Sequence, residues 1–482
     1  MKRRQAIRQL GVGFSSALIG TSWLSSCKKD DLGPEIQYDG NVIVIGAGVA
    51  GLYAADILMT KGLNVTILEA SKQIGGRIAS LRNQLELPYQ SIADFPVELG
   101  AEYWQGSDST LGKLVSNLGL PIVKVPKETI RYILGAQVKT EADWGADGDF
   151  ASVQAFMNGL KSYSGPTNSV AGAASVSATA APLLNSQAGN FYGSSADKIG
   201  VKGLSEQLKL VSHDADYYIL HSNTLQDLMI SRFFQVYDKV KVESPVKSIN
   251  YSANDIITIT MEDGTQMTAN KVIVTVPVTI LKNGIEFLPA LPSEKVNALN
   301  NIGMDPSMRV VMDFKKNFWG VDSSFIWGGT DGPQYFSAGV QRSELTQTLT
   351  VTINGAKAQE LSDLNDGDLV VKKLLAELDE LYAGQATQFI RKTIPTDEQP
   401  EEKMIYYIKD WTKEKYIGGG FSYPMINTTL DHRTALISPV NDRLFFAGEA
   451  TDISGEPGTV NGAMASAERV AEDVVLSIKK VS

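Results

Sequence analysis

Short apolar runs separated by glycine-rich turns lie near both ends of the chain. Residues 41–45 are rich in β-branched side chains, residues 52–60 have helical spacing, and residues 65–68 form a second β-rich run. Near the C-terminus, residues 443–447 predict a short strand, and the stretch from 458 to 478 predicts a long helix. Strands that alternate with helices indicate a parallel sheet covered by helices, which is an α/β fold.

The middle of the chain begins with a predicted helical region. Residues 108–235 are expected to be largely helical, with amphipathic patches at 111–118 and 204–211. Within this region, residues 164–189 are rich in Ala, Ser, Gly and Thr and hold few charges. Composition leaves two possibilities open for them, a long loop or a weakly packed helical lid.

Strand patterns dominate the rest of the middle. Residues 256–261 and 267–269 flank Glu262-Asp263-Gly264-Thr265, which is a hairpin signal. The other expected elements are strands at 271–275, 310–314, 325–328 and 348–354 and a helix at 370–381.

A glycine motif lies between the first strand and the first helix. Gly46, Ala47, Gly48 and Gly51 belong to a G-x-G-x-x-G pattern, and Glu69 ends the next strand. In such a pattern the first glycine permits the tight turn, the second lets the backbone approach a pyrophosphate, and the third lets the helix pack on the strand. A carboxylate at Glu69 would accept hydrogen bonds from the ribose hydroxyls of an adenosine. The sequence therefore predicts a dinucleotide site.

Further residues favour a flavin over a nicotinamide. Gly76 and Arg77 follow Glu69 closely, and the planar guanidinium of Arg77 is suited to bridging phosphate oxygens. Near the C-terminus, Gly448 and Glu449 end a predicted strand, and Glu449 could accept from a ribityl hydroxyl. The helix that opens at Thr459 and Val460 would direct its positive end toward a ring that gains negative charge, as a flavin does on reduction.

These residues resemble a family, the flavin-containing amine oxidases, which include monoamine oxidases, polyamine oxidases and lysine-specific histone demethylases. The matching blocks include VIVIGAGVAGL, VELGAEYWQG, VIVTVP, GGGFSY and LFFAGEA-x7-GTVNGA. The resemblance implies a discontinuous Rossmann-type FAD-binding domain and a substrate domain with a mixed sheet plus helices. Its expected segments are 41–107, 236–284 and 431–482 for FAD, and 108–235 and 285–430 for substrate.

The resemblance also implies where the flavin is held. Gly100, Ala101 and Glu102 match a loop that passes the flavin, and Val246 matches a backbone contact to the adenine. Trp411 would pack beside the ring. Monoamine oxidases attach the flavin through a cysteine, but Gly420 stands at that position and the only cysteine is Cys27. We therefore expect noncovalent FAD.

Three residues are expected to take part in catalysis. Arg309 occupies the position of a lysine that holds a water at flavin N5 in the family, and the alternative is that it turns away into a salt bridge. Phe421 matches one wall of an aromatic cage whose other wall is Thr459 here. Gln105 stands where polyamine oxidases place a carboxylate or a histidine. No metal site is expected, because the three histidines form no ligand-spaced motif.

The N-terminus resembles an export signal. Residues 1–27 have a basic start with two adjacent arginines, a weakly apolar segment and a lipobox that ends at Cys27, and residues 28–40 read as a linker. An exported bacterial lipoprotein, periplasmic or anchored to the outer membrane through Cys27, is expected. Loss of residues 1–26 changes the formal charge from −10 to −14, since they hold four basic and no acidic residues. An acidic chain argues against nucleic acid as a partner.

The function expected from the sequence is oxidation of an amine C–N bond by hydride transfer to FAD. The substrate would be a small amine, and oxygen or another acceptor would take the electrons. Two alternatives stay open: a related desaturase or ring oxidase of an apolar molecule, and a catalytically silent FAD-binding lipoprotein.

Overall fold

A computed structural model describes residues 36–81, 93–330, 332–344, 346–395 and 400–479. The predicted signal peptide, lipobox and most of the linker lie outside the described residues. Among the helices of the described ranges, none combines the length and the apolar character that a membrane crossing requires.

A five-stranded parallel sheet joins the two ends of the chain. Its strands, in spatial order, are Leu444–Phe446, Lys271–Val274, Asn41–Ile45, Asn64–Leu68 and Val240–Lys241. The helices Val49–Thr60 and Val460–Lys479 pack against each other beside this sheet. Their apolar side chains share one core with the side chains of the sheet, so the nucleotide motif rests on a rigid support.

Three smaller sheets surround it. A four-stranded sheet contains the predicted hairpin, with antiparallel strands Ile257–Met261 and Gln266–Ala269, and continues with Val246–Asn250 and Glu286–Leu288. A three-stranded sheet consists of Trp104–Gln105, Tyr217–Leu220 and Ile122–Lys124. A two-stranded sheet pairs Ile302–Met304 with Ser422–Pro424.

The largest sheet is a mixed one, which we call the cavity sheet. Its seven strands, in spatial order, are Tyr406–Asp410, Ser307–Asp313, Thr348–Asn354, Gln334–Ser337, Phe325–Trp327, Arg131–Leu134 and Gln137–Thr140. One neighbouring pair is parallel, Phe325–Trp327 with Arg131–Leu134, and the others are antiparallel. The remaining helices are Thr110–Asn117, Glu141–Trp144, Gly148–Leu160, Val170–Ala174, Ala181–Leu184, Val201–Leu210, Leu225–Arg232, Val278–Asn283, Ser293–Asn301, Ala356–Asp363, Gly367–Tyr382, Gln385–Phe389 and Leu430–Ile437.

The structure corrects the expected helical content of residues 108–235 and shows the conformation of residues 164–189 within them. Residues 108–235 are not largely helical throughout, because Ile122–Lys124, Arg131–Leu134, Gln137–Thr140 and Tyr217–Leu220 are strands that complete two sheets. Residues 164–189 form short helical turns, whose Val170, Leu183, Leu184 and Ala188 are buried in a shared core. The exact bounds of the two domains stay a prediction.

Candidate functional site

A cavity of about 880 Å³ extends from the glycine motif of the five-stranded sheet to the face of the cavity sheet. Of the predicted site residues, Ala47 and Gly51 lie behind its wall. The others line it: Gly46, Gly48, Glu69, Gly76, Arg77, Gly100, Ala101, Glu102, Gln105, Val246, Arg309, Trp411, Phe421, Gly448, Glu449, Thr459 and Val460. The fold therefore brings residues from both ends and the middle of the chain to one elongated space.

The glycine motif has the geometry that a dinucleotide turn requires. Gly46 adopts φ +106°, and a Cβ at Gly51 would lie 2.0 Å from the Gly46 carbonyl oxygen, so both positions exclude larger residues. A Cβ at Gly48 would meet no atom within 4 Å, and this residue faces the cavity. The helix Val49–Thr60 begins beside it, so its free N–H groups are available to a phosphate.

Glu69 lies at the same end of the cavity. Its Oε2 accepts from the Ala47 amide at 2.7 Å, and its Oε1 accepts from the amide and the hydroxyl of Ser71 at 2.8 and 2.7 Å. These bonds hold the carboxylate beside the glycine turn, where a ribose would lie if the turn binds a pyrophosphate.

Arg77 and Glu449 form an ion pair that the sequence patterns did not reveal. Arg77 Nη1 donates to Glu449 Oε1 and to the Gly420 carbonyl oxygen, both at 2.8 Å. Glu449 also accepts from the Ser422 hydroxyl at 2.6 Å and from the Gly458 amide at 2.8 Å. The predicted contacts of Arg77 to phosphate and of Glu449 to ribityl stay predictions, because here the two side chains bind each other.

Two arginines and a serine hydroxyl together keep Glu449 ionised. Burial by itself raises the pKa of its carboxyl, but Arg77, Ser422 and Arg433 outweigh that effect and lower the pKa below the ordinary value. Arg433 is fully buried and donates to the Ser422 hydroxyl and to the Ala450 carbonyl oxygen. Burial lowers the pKa of Arg433 to about 10, against the opposing effects of Glu449 and Asp452. A permanent buried charge cluster therefore lies beneath the cavity.

The C-terminal helix starts at the cavity wall. The Thr459 hydroxyl accepts from the Gly462 amide at 3.0 Å and donates to the Glu456 carbonyl oxygen at 2.7 Å. These bonds fix the first turn of the helix Val460–Lys479, and both Thr459 and Val460 line the cavity. The positive end of a long helix is thereby presented to whatever the cavity holds.

The loop that contains Gly100 is held between two partners. A Cβ at Gly100 would lie 1.8 Å from the Arg77 carbonyl oxygen and 3.2 Å from the Trp411 ring. Trp411 is buried and its indole N–H donates to the Leu99 carbonyl oxygen at 2.9 Å. This packing places the loop, and Ala101 and Glu102 after it, along the cavity.

Arg309 both lines the cavity and forms a salt bridge. Its Nη1 donates to Glu102 Oε2 at 2.7 Å, and its Nη2 donates to the Gly100 carbonyl oxygen at 2.7 Å. Thr350 of the adjacent strand donates to both Glu102 oxygens at 3.0 Å. The ion pair that the sequence analysis held as an alternative is thus present, and it fixes the guanidinium at the cavity wall.

Aromatic side chains form the wall near Arg309. Phe421 is packed so closely that a Cβ at Gly193 or Gly458 would lie 2.9 or 2.7 Å from its ring. Phe191 and Tyr192 also line the cavity, and their ring centroids are 5.0 Å apart in an edge-to-face arrangement. Sequence reasoning missed these two; their signal was a pair of aromatic residues directly after a stretch of small ones.

The tyrosines of this wall are neutral. Burial raises the pKa of the Tyr192 hydroxyl to about 12. Tyr103 also lines the cavity, and burial raises the pKa of its hydroxyl, with Arg309 opposing this effect and Glu102 adding to it. Neither phenol is therefore a base near neutral pH. The wall offers apolar surface to a ligand, not proton-transfer groups.

These features together fit FAD. An open glycine turn and a helix N-terminus suit the pyrophosphate, Glu69 suits a ribose, and a second helix N-terminus suits a ring that becomes negative. The cavity extends from the nucleotide end to an apolar aromatic end, as a long dinucleotide with a redox ring requires.

Comparisons with known proteins agree with this fit. A family model for flavin containing amine oxidoreductases matches residues 49–191 and 222–475. Lysine-specific histone demethylase 1B of Mus musculus is 25% identical over 480 residues, which cover 95% of this chain and 55% of the demethylase. Polyamine oxidase 2 of Arabidopsis thaliana is 25% identical over 469 residues, which cover 90% of this chain and 87% of that oxidase. The chain spans about half the length of the demethylases that it matches.

Solved structures share the fold. The cyclohexylamine oxidase from Brevibacterium oxydans IH-35A superposes with a TM-score of 0.72 at 19% identity, covering 92% of this chain and all of that one. A putrescine oxidase bound to putrescine gives a TM-score of 0.70 at 19% identity, covering 91% of this chain and 99% of that one. The expected α/β fold class is therefore confirmed.

The matched family consists of flavin-containing oxidoreductases, which agrees with the predicted flavin cofactor and with the expectation of a redox enzyme. Because the family model matches most of the sequence on both sides of one interruption, the chain belongs to the flavin-containing amine oxidoreductases.

Proposed function

We propose that this protein oxidises an amine at the carbon next to nitrogen, using noncovalently bound FAD and molecular oxygen. The amine loses two electrons and two hydrogens to become an imine, and oxygen takes them up as hydrogen peroxide. When bound, FAD supplies the hydride acceptor. The observation that carries the proposal is the continuous cavity, which connects the glycine turn at Gly48 to an aromatic wall formed by Tyr103, Phe191, Tyr192 and Phe421.

The residues of this chain would bind and orient the reactants without acting as strong acids or bases. Gly46, Gly48 and Glu69 would hold the adenosine and the pyrophosphate, and the start of the helix at Val460 would stabilise negative charge on the ring. The aromatic wall would exclude water and orient the substrate. Arg309, held by Glu102, would present a fixed positive charge to the reacting region.

The cofactor and the reaction are tested on the purified mature protein. We expect it to be yellow, to release all of its FAD on acid or heat denaturation, and to form peroxide with members of an amine panel. Complete release follows because Gly420 stands at the position where a relative would carry an attaching cysteine. Flavin that stays with the denatured chain would disprove noncovalent binding, and FAD that no amine reduces would disprove the activity.

The aromatic wall also supports a second candidate function. A desaturase or ring oxidase of an apolar molecule would use the same surface at Tyr103, Phe191 and Tyr192. Bleaching of the flavin by an apolar substrate that lacks an amine, with no peroxide formed, would favour this function.

We further propose that the chain is exported and lipid-anchored through Cys27. The basic start and the lipobox-like Leu24-Ser25-Ser26-Cys27 support this proposal. Cys27→Ser is expected to move the protein from the membrane fraction to an unlipidated precursor or soluble form. Fractionation that finds the wild-type protein in the cytosol without acyl chains would overturn it.

A further inference from the structure

Aromatic rings line the end of the cavity away from the glycine turn. We define the aromatic wall as Tyr103, Phe191, Tyr192 and Phe421, all of which line the cavity. The Tyr103 ring lies 5.1 Å from Phe325 and 5.5 Å from Tyr217, measured between centroids and in edge-to-face arrangements. Rings packed in this way cannot move aside cheaply, so the wall presents a fixed apolar surface.

The carboxylates that line the same cavity already have partners within the protein, so they are poorly suited to bind a polycation. Six carboxylates line it within the described ranges: Glu69, Glu102, Glu262, Glu414, Glu449 and Glu456. Four of them are in ion pairs, with Arg309, Lys415, Lys409 and Arg77 as their partners, and a fifth, Glu456, lies 2.8 Å from the His213 ring nitrogen. The sixth, Glu69, is bound to the Ala47 amide and to Ser71 at the nucleotide end.

Two of these carboxylates are also too constrained to turn toward a ligand. Glu102 accepts from Arg309 and Thr350, and Glu449 accepts from Arg77, Ser422 and Gly458. Both are at most 5% exposed. Glu456 is less buried, but its Oε1 meets His213 Nε2 and Asn461 Nδ2, both at 2.8 Å.

We propose that the substrate is a monoamine whose apolar, ring-containing group lies against the aromatic wall, and that diamines and polyamines are selected against. The inference rests on the proposed amine oxidation and adds the substrate class. A second ammonium group would leave water for a surface whose described lining residues include no unpaired carboxylate, and burial of an unpaired charge is costly. The apolar group of a monoamine would instead gain from leaving water.

The test compares substrates that differ by one ammonium group. Hexylamine and 1,6-diaminohexane have the same carbon chain, and cyclohexylamine adds a ring. The rate constant of anaerobic flavin bleaching divided by the apparent Kd is measured for each by stopped flow. We expect this ratio to be about tenfold or more higher for hexylamine than for the diamine, since unpaired polar groups discriminate more strongly than methylenes do. For cyclohexylamine we expect the ratio to match or exceed that of hexylamine.

A variant pair tests the role of the missing carboxylate. Gln105 lies opposite Tyr217 in neighbouring antiparallel strands, so its side chain is on the same face of the sheet as Tyr217. The Tyr217 ring packs against Tyr103 of the aromatic wall. Gln105→Glu adds an unpaired carboxylate of the same size, and Gln105→Leu is the uncharged control. We expect Gln105→Glu to shift the ratio toward the diamine by about tenfold, consistent with a new charge pair in a partly desolvated site, and Gln105→Leu not to do so.

The outcomes separate this inference from the proposed function. Wild-type protein that uses 1,6-diaminohexane as well as hexylamine would overturn the substrate class and leave amine oxidation standing. A flavin that light reduces but that no amine reduces would overturn both. The wild-type comparison does not depend on whether either variant folds.

Discussion

Glu449→Gln is expected to destabilise the protein by about 3–5 kcal/mol and to abolish FAD retention, because it removes the buried anion that balances the fully buried Arg433 and the partly exposed Arg77. Glutamine keeps the size of the side chain but leaves Arg77 without its anion and places an amide N–H₂ near the Ser422 and Gly458 donors. Thermal unfolding of the FAD-free protein measures the destabilisation separately from cofactor loss, and the flavin absorbance after gel filtration measures retention.

Glu472→Gln is the matched control. This glutamate lies on the exposed face of the C-terminal helix, where surface substitutions usually change the free energy of unfolding by less than about 0.5 kcal/mol. A Glu449→Gln variant as stable as the control, with FAD still bound, would show that the buried carboxylate contributes nothing to folding or to binding.

The pH dependence of stability gives a second measure of the same group. The pKa of Glu449 is lower in the folded protein than the ordinary value of 4.5, so the stability that this group supplies is present above that value. It is lost as the pH falls through the folded-state pKa. The difference in free energy of unfolding between wild type and Glu449→Gln should therefore shrink in acid, and a difference that stays constant from neutral pH to pH 3 would contradict this account.

The parts of the site that follow from local sequence could be predicted. The turn at Gly46–Gly51 and the hairpin at Gly264 depend on backbone conformations that only a few residue types allow, so their sequences carry them directly. The strand Thr348–Asn354 was predicted with its observed bounds because five of its seven residues are Thr, Val or Ile, which prefer strands. Short strands such as Ile122–Lys124 were missed, since three residues carry little periodic signal.

The long-range contacts of the site could not be predicted from patterns. Arg77 and Glu449 are 372 positions apart, and Arg309 and Glu102 are 207 apart. Each residue was recognised as part of a motif, but its partner is decided by how the sheets pack. The same holds for Phe191 and Tyr192, which reach the cavity only because short helical turns bring Asn190–Tyr192 against the cavity sheet.

Arg309→Met is expected to lower the rate at which oxygen reoxidises the flavin of the photoreduced protein by about tenfold, with Arg309→Lys in between. As oxygen accepts electrons it gains negative charge, and a fixed guanidinium at the cavity wall stabilises that charge. Lysine keeps the charge but cannot reproduce the planar fork that binds Glu102 and the Gly100 carbonyl oxygen together. Stopped-flow absorbance after mixing with oxygen gives the rate without knowledge of the substrate.

Glu102→Gln distinguishes a role in the reaction with oxygen from a structural ion pair. Glutamine can still accept a hydrogen bond from Arg309 and from Thr350, but it removes the anion that balances the guanidinium. The positive charge at the cavity wall then acts uncompensated, so the reoxidation rate should rise, in the opposite direction to Arg309→Met. A purely structural pair would instead lower thermal stability in both variants and leave the reoxidation rates of the FAD-bound proteins equal to that of the wild type. Equal rates in Arg309→Lys, Arg309→Met and Glu102→Gln would therefore assign Arg309 to the fold and remove it from the chemistry.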